Sequence, residues 1–510
     1  MTRAHVVIDP AFAVAEVEDR LFGSFVEHMG RAVYGGIYEP GHPTADAAGW
    51  RGDVLELVRE IGVTVVRYPG GNFVSAHDWE DGVGPREERP TRLDLAWHSI
   101  EPNAVGTDEF LAWSALAGVE PMLAVNLGTR GVDAARNLVE YVNAPVGTEY
   151  ADRRVRNGRA EPYGVKLWCL GNEMDGPWQI GQKTAAEYGR LALETGKAMR
   201  AVDDTLELVL CGSSNSSMPT FGAWEDTTLD IAWDVTDHIS LHTYYDPADF
   251  PDTGAYLACS LDLDRMLTTV AATADAVAGR RRSRRKIGIS VDEWNVWHQW
   301  ANPHHIDTSG PFRDAPPLGE DEHTVADALV VGCLLICLLR HADRVRIGCL
   351  AQLVNVIPPI RTLDGGPAWR QTSYYPFMHA ARYGRGTVLR LEPEAPGYEV
   401  EKEGEVAGLE TTAVHDAAAG TLTIFAVNRL EAALPLRAVL RDLDGSLAHR
   451  APGAGRRRPA RLQHRRAARP RRAARRGGRA DRGRRAAGRA AGALVERAQD
   501  QRRRTRVTGR

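Results

Sequence analysis

Eight short apolar runs recur along the chain, each followed by a stretch with helical patterning. They are Leu21–Glu27, Val63–Pro69, Pro121–Leu127, Val165–Glu173, Glu207–Gly212, His238–Tyr244, Lys286–Glu293 and Val345–Asn355. Most are nearly continuous in Val, Ile and Leu, as strands buried on both faces are. Between them, Asp53–Ile61 carries apolar residues at 54, 55, 57, 58 and 61. Thr107 is placed to cap a helix opening with Asp108 and Glu109, which suits the helix dipole. Thr184–Met199, Leu261–Ala278, His323–Leu339 and Tyr374–Tyr383 read as further helices. Eight strands alternating with helices predict an α/β protein of the (β/α)8 TIM-barrel class. An open doubly wound sheet usually has fewer strands, and no glycine-rich phosphate fingerprint follows a strand here.

The pattern changes after Tyr383. Thr387–Leu391, Tyr398–Val400, Leu409–Val414 and Thr421–Asn428 are short strand-like runs separated by Gly, Pro and charged residues. They predict a small accessory antiparallel β domain, to which Val6–Ile8 and Ala13–Val17 could add strands.

Catalytic groups of a barrel come from the C-terminal ends of its strands. Here those ends read Glu27-His28, Arg67 through Asn72, Asn126, Asn172-Glu173, His242-Thr243-Tyr244, Asp292-Glu293-Trp294, and Gln352 with Asn355. So many polar groups would be costly inside a packed core, and they make sense as the lining of one cleft. Glu173 and Glu293 each end an apolar run, on strands four and seven. Those strands face each other across the mouth, so the two carboxylates can flank one substrate atom. Glycoside hydrolysis uses such a pair, one protonated and one ionised.

Other chemistries find less support. His298, His304, His305 and His323 lack helical metal-ligand spacing. There is no Gly-x-Ser-x-Gly elbow and no P-loop. No metal and no organic cofactor is expected. Trp97, Trp178 and Trp297 follow strand ends or sit in loops, where stacking on a sugar competes with simple packing. The six cysteines are scattered within apolar runs, which predicts reduced, buried thiols in a cytoplasmic protein. Met1–Gly23 lacks the apolar core of a secretory signal, so Asn215-Ser216-Ser217 is read as a chance glycosylation pattern. The longest apolar run, Ala328–Leu339, is too short to span a bilayer and predicts a buried helix.

The net charge of −4 hides a division. From Arg450 to Arg510 there are 23 Arg, no Lys and three acids, a charge of +20; the remainder carries 40 basic and 64 acidic residues, a charge of −24. From His449 onward there is no Phe, Trp, Tyr, Ile, Met, Lys, Asn or Cys. Such a stretch is what a GC-rich coding region gives when read out of frame. The expectation is that 447–510 is a disordered tail, a frameshift product, and that the accessory domain is incomplete at that end. An Arg-rich patch for nucleic acid is the competing reading, but the stretch has no interleaved aromatics and no recognition motif.

With these residues in place, the chain resembles the intracellular bacterial α-L-arabinofuranosidases of glycoside hydrolase family fifty-one. The stretches that carry the resemblance are FVEHMGRAVYGGIYEP (25–40), VVRYPGGNFVSAHDWEDGVGP (65–85), LAWHSIEPNAVGTDEF (95–110), LWCLGNEMDGPWQIG (167–181), SLHTYY (240–245), DEWNVW (292–297) and AQLVNVI (351–357). The resemblance implies a barrel at 18–383 and a β-sandwich built from 1–17 and 384–446. It implies release of terminal, non-reducing α-L-arabinofuranosyl units with retention, from arabino-oligosaccharides and arabinoxylan fragments.

By the same resemblance Glu173 matches the general acid/base and Glu293 the nucleophile. Asn172 matches the residue bonding the sugar 2-hydroxyl; Glu27, Asn72 and Gln352 match residues bonding other hydroxyls. Tyr244 and His242 match residues orienting the nucleophile and the acid/base, Arg67 a partner behind the nucleophile, and Trp97 and Trp297 the pocket walls. A homo-oligomer, a hexamer, is implied, with no nucleic-acid or membrane partner. The alternatives are another retaining glycosidase on the same plan, a β-endoglucanase or xylanase, and a catalytically dead remnant.

Overall fold

The computed structural model describes residues 3–299, 306 and 310–442, with the backbone of two later strands. The chain opens with β1 (Ala4–Ile8) and β2 (Ala13–Glu16), then enters the barrel. Its eight strands are β3 (Gly23–Phe25), β4 (Val65–Tyr68), β5 (Glu120–Ala124), β6 (Leu167–Leu170), β7 (Glu207–Leu210), β8 (His238–Tyr245), β9 (Gly288–Val296) and β10 (Val345–Leu350). They pair in parallel in sequence order and close, β10 against β3. The helix after each strand is, in turn, α1 (Gly52–Ile61), α2 (Thr107–Ala117), α3 (Val132–Asn143), α4 (Ala185–Val202), α5 (Ala223–Ala232), α6 (Ser260–Arg280), α7 (Val325–Arg340) and α8 (Tyr374–Tyr383).

The continuous apolar runs have the cause expected of them. Val65, Met122, Ala124, Leu167 and Cys169 fill the barrel interior, while Val66, Tyr68, Leu123, Trp168 and Leu170 pack outward with the helices. Both faces of each strand are therefore dry. Helix α7 is apolar nearly all round because it is sandwiched between barrel strand β9 and the accessory sheet. Helix α2 differs from expectation at its start. Gly106 is the cap and Thr107 is the first helical residue, while the Glu109 side chain reaches back to the Gly106 N–H.

The accessory domain has two layers. One is a six-stranded antiparallel sheet in the order β2, β11 (Thr387–Leu389), β12 (Leu409–Asp416), β13 (Thr421–Asn428), then Leu494–Asp500 and Leu447–Arg450. The other pairs β1 with β14 (Leu436–Leu440) in parallel, a departure from the all-antiparallel domain expected. Ala4, Val6 and Ile8 pack against Leu389, Leu409, Ala413, Leu422 and Ile424 between the layers.

The expectation of a wholly unstructured 447–510 does not hold at two places. Leu494–Asp500 pairs along β13 from Thr421 to Ala426, and Leu447–Arg450 pairs with it. Backbone hydrogen bonding to an open sheet edge asks little of side chains, so composition was a poor guide there. The other residues of that segment lie outside those described.

Arg429 clamps the two domains. Its Nε–H donates to Leu257 O at 3.0 Å, one terminal nitrogen to Ser260 Oγ at 2.8 Å, and the same nitrogen contacts Glu410 Oε2 at 2.5 Å. All of this is buried. Arg429→Ala is expected to destabilise the fold by about 3 kcal/mol, because it leaves a buried carboxylate without this partner. A thermal melt unchanged from the parent would contradict this.

Candidate active site

The polar strand ends converge at the C-terminal mouth of the barrel. Glu173 lies just past β6, with φ of +44°, a conformation uncommon outside glycine. Its Oε1 accepts from His242 Nδ1 at 2.9 Å and its Oε2 from the Trp178 indole N–H at 2.6 Å. Glu293, within β9, is held from other directions. Arg67 donates to its Oε1 at 2.7 Å and the Tyr244 hydroxyl to its Oε2 at 2.7 Å. One oxygen of each carboxylate and a His242 nitrogen lie within 4.8 Å of one another. So close a pair matches retaining glycosidases, whose carboxyls stand about 5 Å apart, and not inverting ones, at about 6.5 Å or more.

Local strand geometry brings these groups together. A register irregularity in β8 between Ser240 and His242 sets His242 beside Glu293 on β9, the kind of re-aiming bulges provide near sites. His242 Nε2 then meets Asp292 Oδ1 at 3.1 Å. Burial works against charge on this ring, but Glu293, Asp292 and Glu173 prevail and push its pKa up to about 10. The protonated ring donates from both nitrogens. Arg67 also donates to Asn172 Oδ1 at 2.7 Å and lies 3.6 Å from Asp292. Burial, helped by the charge of Glu293, raises the Glu173 pKa, against the donors His242 and Trp178. The environments of the two carboxyls are thus split, as acid–base chemistry requires.

A third carboxylate defines the far side. Glu27 accepts from the Phe73 N–H at 2.9 Å, the Trp97 indole at 2.9 Å and the Gln352 amide at 3.1 Å. Burial and the charge of Glu293 push its pKa up to about 8. The Pro-Gly-Gly run permits this placement, since a Cβ on Gly71 would lie 2.9 Å from both Glu27 oxygens. Trp97 is fixed in turn by Asp94, which accepts its backbone N–H at 3.2 Å. Trp297 packs edge-on to Tyr244, ring centres 5.0 Å apart.

A cavity of about 580 Å³ opens over this cluster. Of the residues expected at the site, Glu27, Asn72, Trp97, Glu173, Tyr244, Glu293, Trp297 and Gln352 line it. Arg67, Asn172 and His242 lie beneath, buried, holding those above. Trp178 lines the cavity and is 49% exposed, with its N–H engaged by Glu173. Sequence reasoning missed Asp292 as the link between His242 and Arg67, although an acid in an all-apolar strand was a signal. It also missed the loop Ser214–Ser217 after β7, the one strand whose polar end had gone unremarked, and Asp246, Asp249 and Asp262, which line the cavity. Of the four clustered histidines, His298 meets Asp327 at 3.2 Å and His323 meets Ser373 at 2.6 Å; His304 and His305 lie outside the described residues. The six cysteines are buried and unpaired.

Known proteins share this arrangement's sequence. Residues 57–258 match the α-L-arabinofuranosidase 1 domain family, and residues 292–469 the α-L-arabinofuranosidase C-terminal domain family. An intracellular exo-α-(1→5)-L-arabinofuranosidase of Halalkalibacterium halodurans is 54% identical over 443 residues, 87% of this chain and 88% of that one. The chain belongs to the family fifty-one α-L-arabinofuranosidases. Another member, an exo-α-(1→6)-L-arabinofuranosidase of Bifidobacterium longum, is 52% identical over 85% of this chain and 84% of its own. The solved structure of a family 51 α-L-arabinofuranosidase from that organism superposes with a TM-score of 0.83, at 48% identity, over 86% of this chain and 88% of its own. Family membership makes the chain a glycoside hydrolase, and does not favour the endoglucanase or xylanase alternative.

Proposed function

We propose that this chain releases terminal, non-reducing α-L-arabinofuranosyl residues from arabino-oligosaccharides and arabinoxylan fragments with retention, Glu173 serving as acid/base and Glu293 as nucleophile. The observation that carries the assignment is the close carboxylate pair with split partners: His242 and Trp178 on Glu173, Arg67 and Tyr244 on Glu293. Glu27, Asn72, Asn172 and Gln352 hold the sugar hydroxyls, with Trp97 and Trp297 as walls and Tyr244 and His242 setting the reacting groups.

In the first step a Glu293 oxygen bonds to the anomeric carbon as the bond to the leaving oxygen breaks, and Glu173 gives that oxygen its proton. With Glu173 protonated, two cations, Arg67 and His242, face two carboxylates, Asp292 and Glu293. Ester formation consumes the charge of Glu293, one cause of the raised Glu173 pKa, so Glu173 becomes a better-ionised base. It then takes a proton from the water that attacks the anomeric carbon, releasing the sugar and restoring both carboxyls.

Two measurements test this reading. On a panel of 4-nitrophenyl glycosides, the α-L-arabinofuranoside should be the fastest substrate. A faster β-xyloside or β-glucoside would overturn the substrate class. The pH profile of kcat/KM should lose activity as pH rises through a Glu173 pKa above the ordinary 4.5, because the protonated acid is then depleted. A decline centred near 4.5 would contradict the assignment.

The names of the relatives, intracellular enzymes in several bacteria, support a cytoplasmic place of action. No helix among the described residues is long and apolar enough to cross a membrane. A homo-oligomer, hexameric by family resemblance, is proposed; an apolar groove among Val325, Leu329, Leu335, Tyr375 and Phe425 offers surface for it, and light scattering tests it. The proposed domains are 1–17 with 384–446 as the sandwich and 18–383 as the barrel. For 447–510 the out-of-frame composition supports a frameshift origin, which resequencing the gene decides.

A further inference from the structure

The cavity is larger than one pentose needs, and its charge is one-sided. Six carboxyl groups line it: Glu27, Glu173, Asp246, Asp249, Asp262 and Glu293; no Lys, Arg or His does so among the described residues. The cations that balance the catalytic pair, Arg67 and His242, lie beneath it on the barrel side. Glu173 must touch the glycosidic oxygen, so the part of the cavity beyond Glu173 receives the leaving group. Contacts trace that part outward from Glu173: Trp178 bonds Glu173, Ser214 bonds Asp175, and Asp262 bonds both Ser216 and Tyr245, four residues before the cavity-lining Asp249.

This acceptor end is a fixed structure. Asp262 Oδ2 accepts from the Tyr245 hydroxyl and the Ser216 hydroxyl, each at 3.1 Å, joining the loop after β7 to the end of β8. Ser214 is tied to Asp175. The Trp178 N–H is already engaged with Glu173, so its exposed ring is an uncharged platform. Asp249 differs from its neighbours: its carboxylate is exposed at the rim and makes no ion pair among the described residues. Asp262 has Arg265 at 3.7 Å.

We propose that the acceptor end selects neutral leaving groups and rejects anionic ones, such as a uronic acid or another carboxylate-bearing aglycone, and that Asp249 is the residue that sets this preference. The proposal rests on the arabinofuranosidase reading above. A carboxylate brought to this end meets the negative charge of Asp249 and Asp262, with no cation among the described lining residues, and like charges repel. Because the rim is open to solvent, the repulsion must weaken with salt.

The test compares 4-carboxyphenyl with 4-carbamoylphenyl α-L-arabinofuranoside, in the wild-type enzyme and in Asp249→Asn, at 20 mM and 500 mM NaCl. The readout is the ratio of kcat/KM for the amide over that for the carboxylate, which cancels any common effect of the substitution. In the wild type this ratio should fall about fivefold on raising the salt. In Asp249→Asn the low-salt ratio should fall at least about twofold, with a weaker salt response. A wild-type ratio insensitive to salt, or a ratio that Asp249→Asn leaves unchanged, would overturn the inference alone. If neither arabinofuranoside turned over while a pyranoside did, the functional reading would fall, and this inference with it.

Discussion

Glu293→Ala should abolish turnover of every glycoside, with a fall in kcat on the order of 10⁴ or more. The carboxylate has no substitute: in the proposed roles Glu173 serves the leaving group, Glu27 is tied to Phe73, Trp97 and Gln352, and Asp292 is committed to His242 and lies beneath the cavity. Glu173→Ala should behave differently. An aryl arabinofuranoside with a good leaving group needs little protonation, so the first step survives. The second step lacks its base, and the covalent glycosyl-enzyme should accumulate. Intact-mass measurement after mixing would show the protein heavier by one arabinosyl unit, with a burst of phenol followed by slow release. Near-normal steady-state activity in either variant would sink the assignment of roles.

Arg67→Leu is the second substitution with a large expected effect. The guanidinium contacts Glu293, Asn172 and Asp292 from a site that is itself buried. Removing it leaves two carboxylates facing His242 alone and frees the Asn172 carbonyl. Burial of Asp292 tends to raise its pKa, and Arg67 with His242 now holds it below the usual range; without Arg67 it should rise, and the proton balance of His242 with it. We expect kcat to fall on the order of 10³-fold, the scale for losing a preorganised charge at a reacting group. Folding stability should drop by about 3–5 kcal/mol, since breaking one partner of a buried ion pair leaves charge unpaired. Kinetics on the 4-nitrophenyl arabinofuranoside and a urea melt measure both. A kcat within tenfold of wild type would show that Tyr244 and the backbone suffice to hold Glu293.

The sequence alone determined the barrel. Strands buried on both faces must be apolar without alternation, and eight such runs, each followed by a helix, leave few ways to fold. The polar residues ending those runs pointed to one cleft, so the meeting of Glu173 and Glu293 at the barrel mouth was legible before any coordinates, and so was the likeness of the surrounding motifs to one family. The accessory strands were legible from their turns, though not the parallel pairing of β1 with β14, because pairing direction depends on where the chain returns and not on composition. What only the tertiary structure decided is who holds whom. That Asp292 reaches His242, that Trp178 donates to Glu173, and that Asp249 makes no ion pair among the described residues are facts of groups meeting at one barrel mouth, where partners stand as far apart in sequence as Glu27 and Gln352, 325 residues. Side-chain pairing across strands follows from register and the bulge in β8, which no local pattern records. For the same reason the pairing of Leu494–Asp500 with β13 escaped composition: an open edge recruits backbone, and backbone carries no sequence signature.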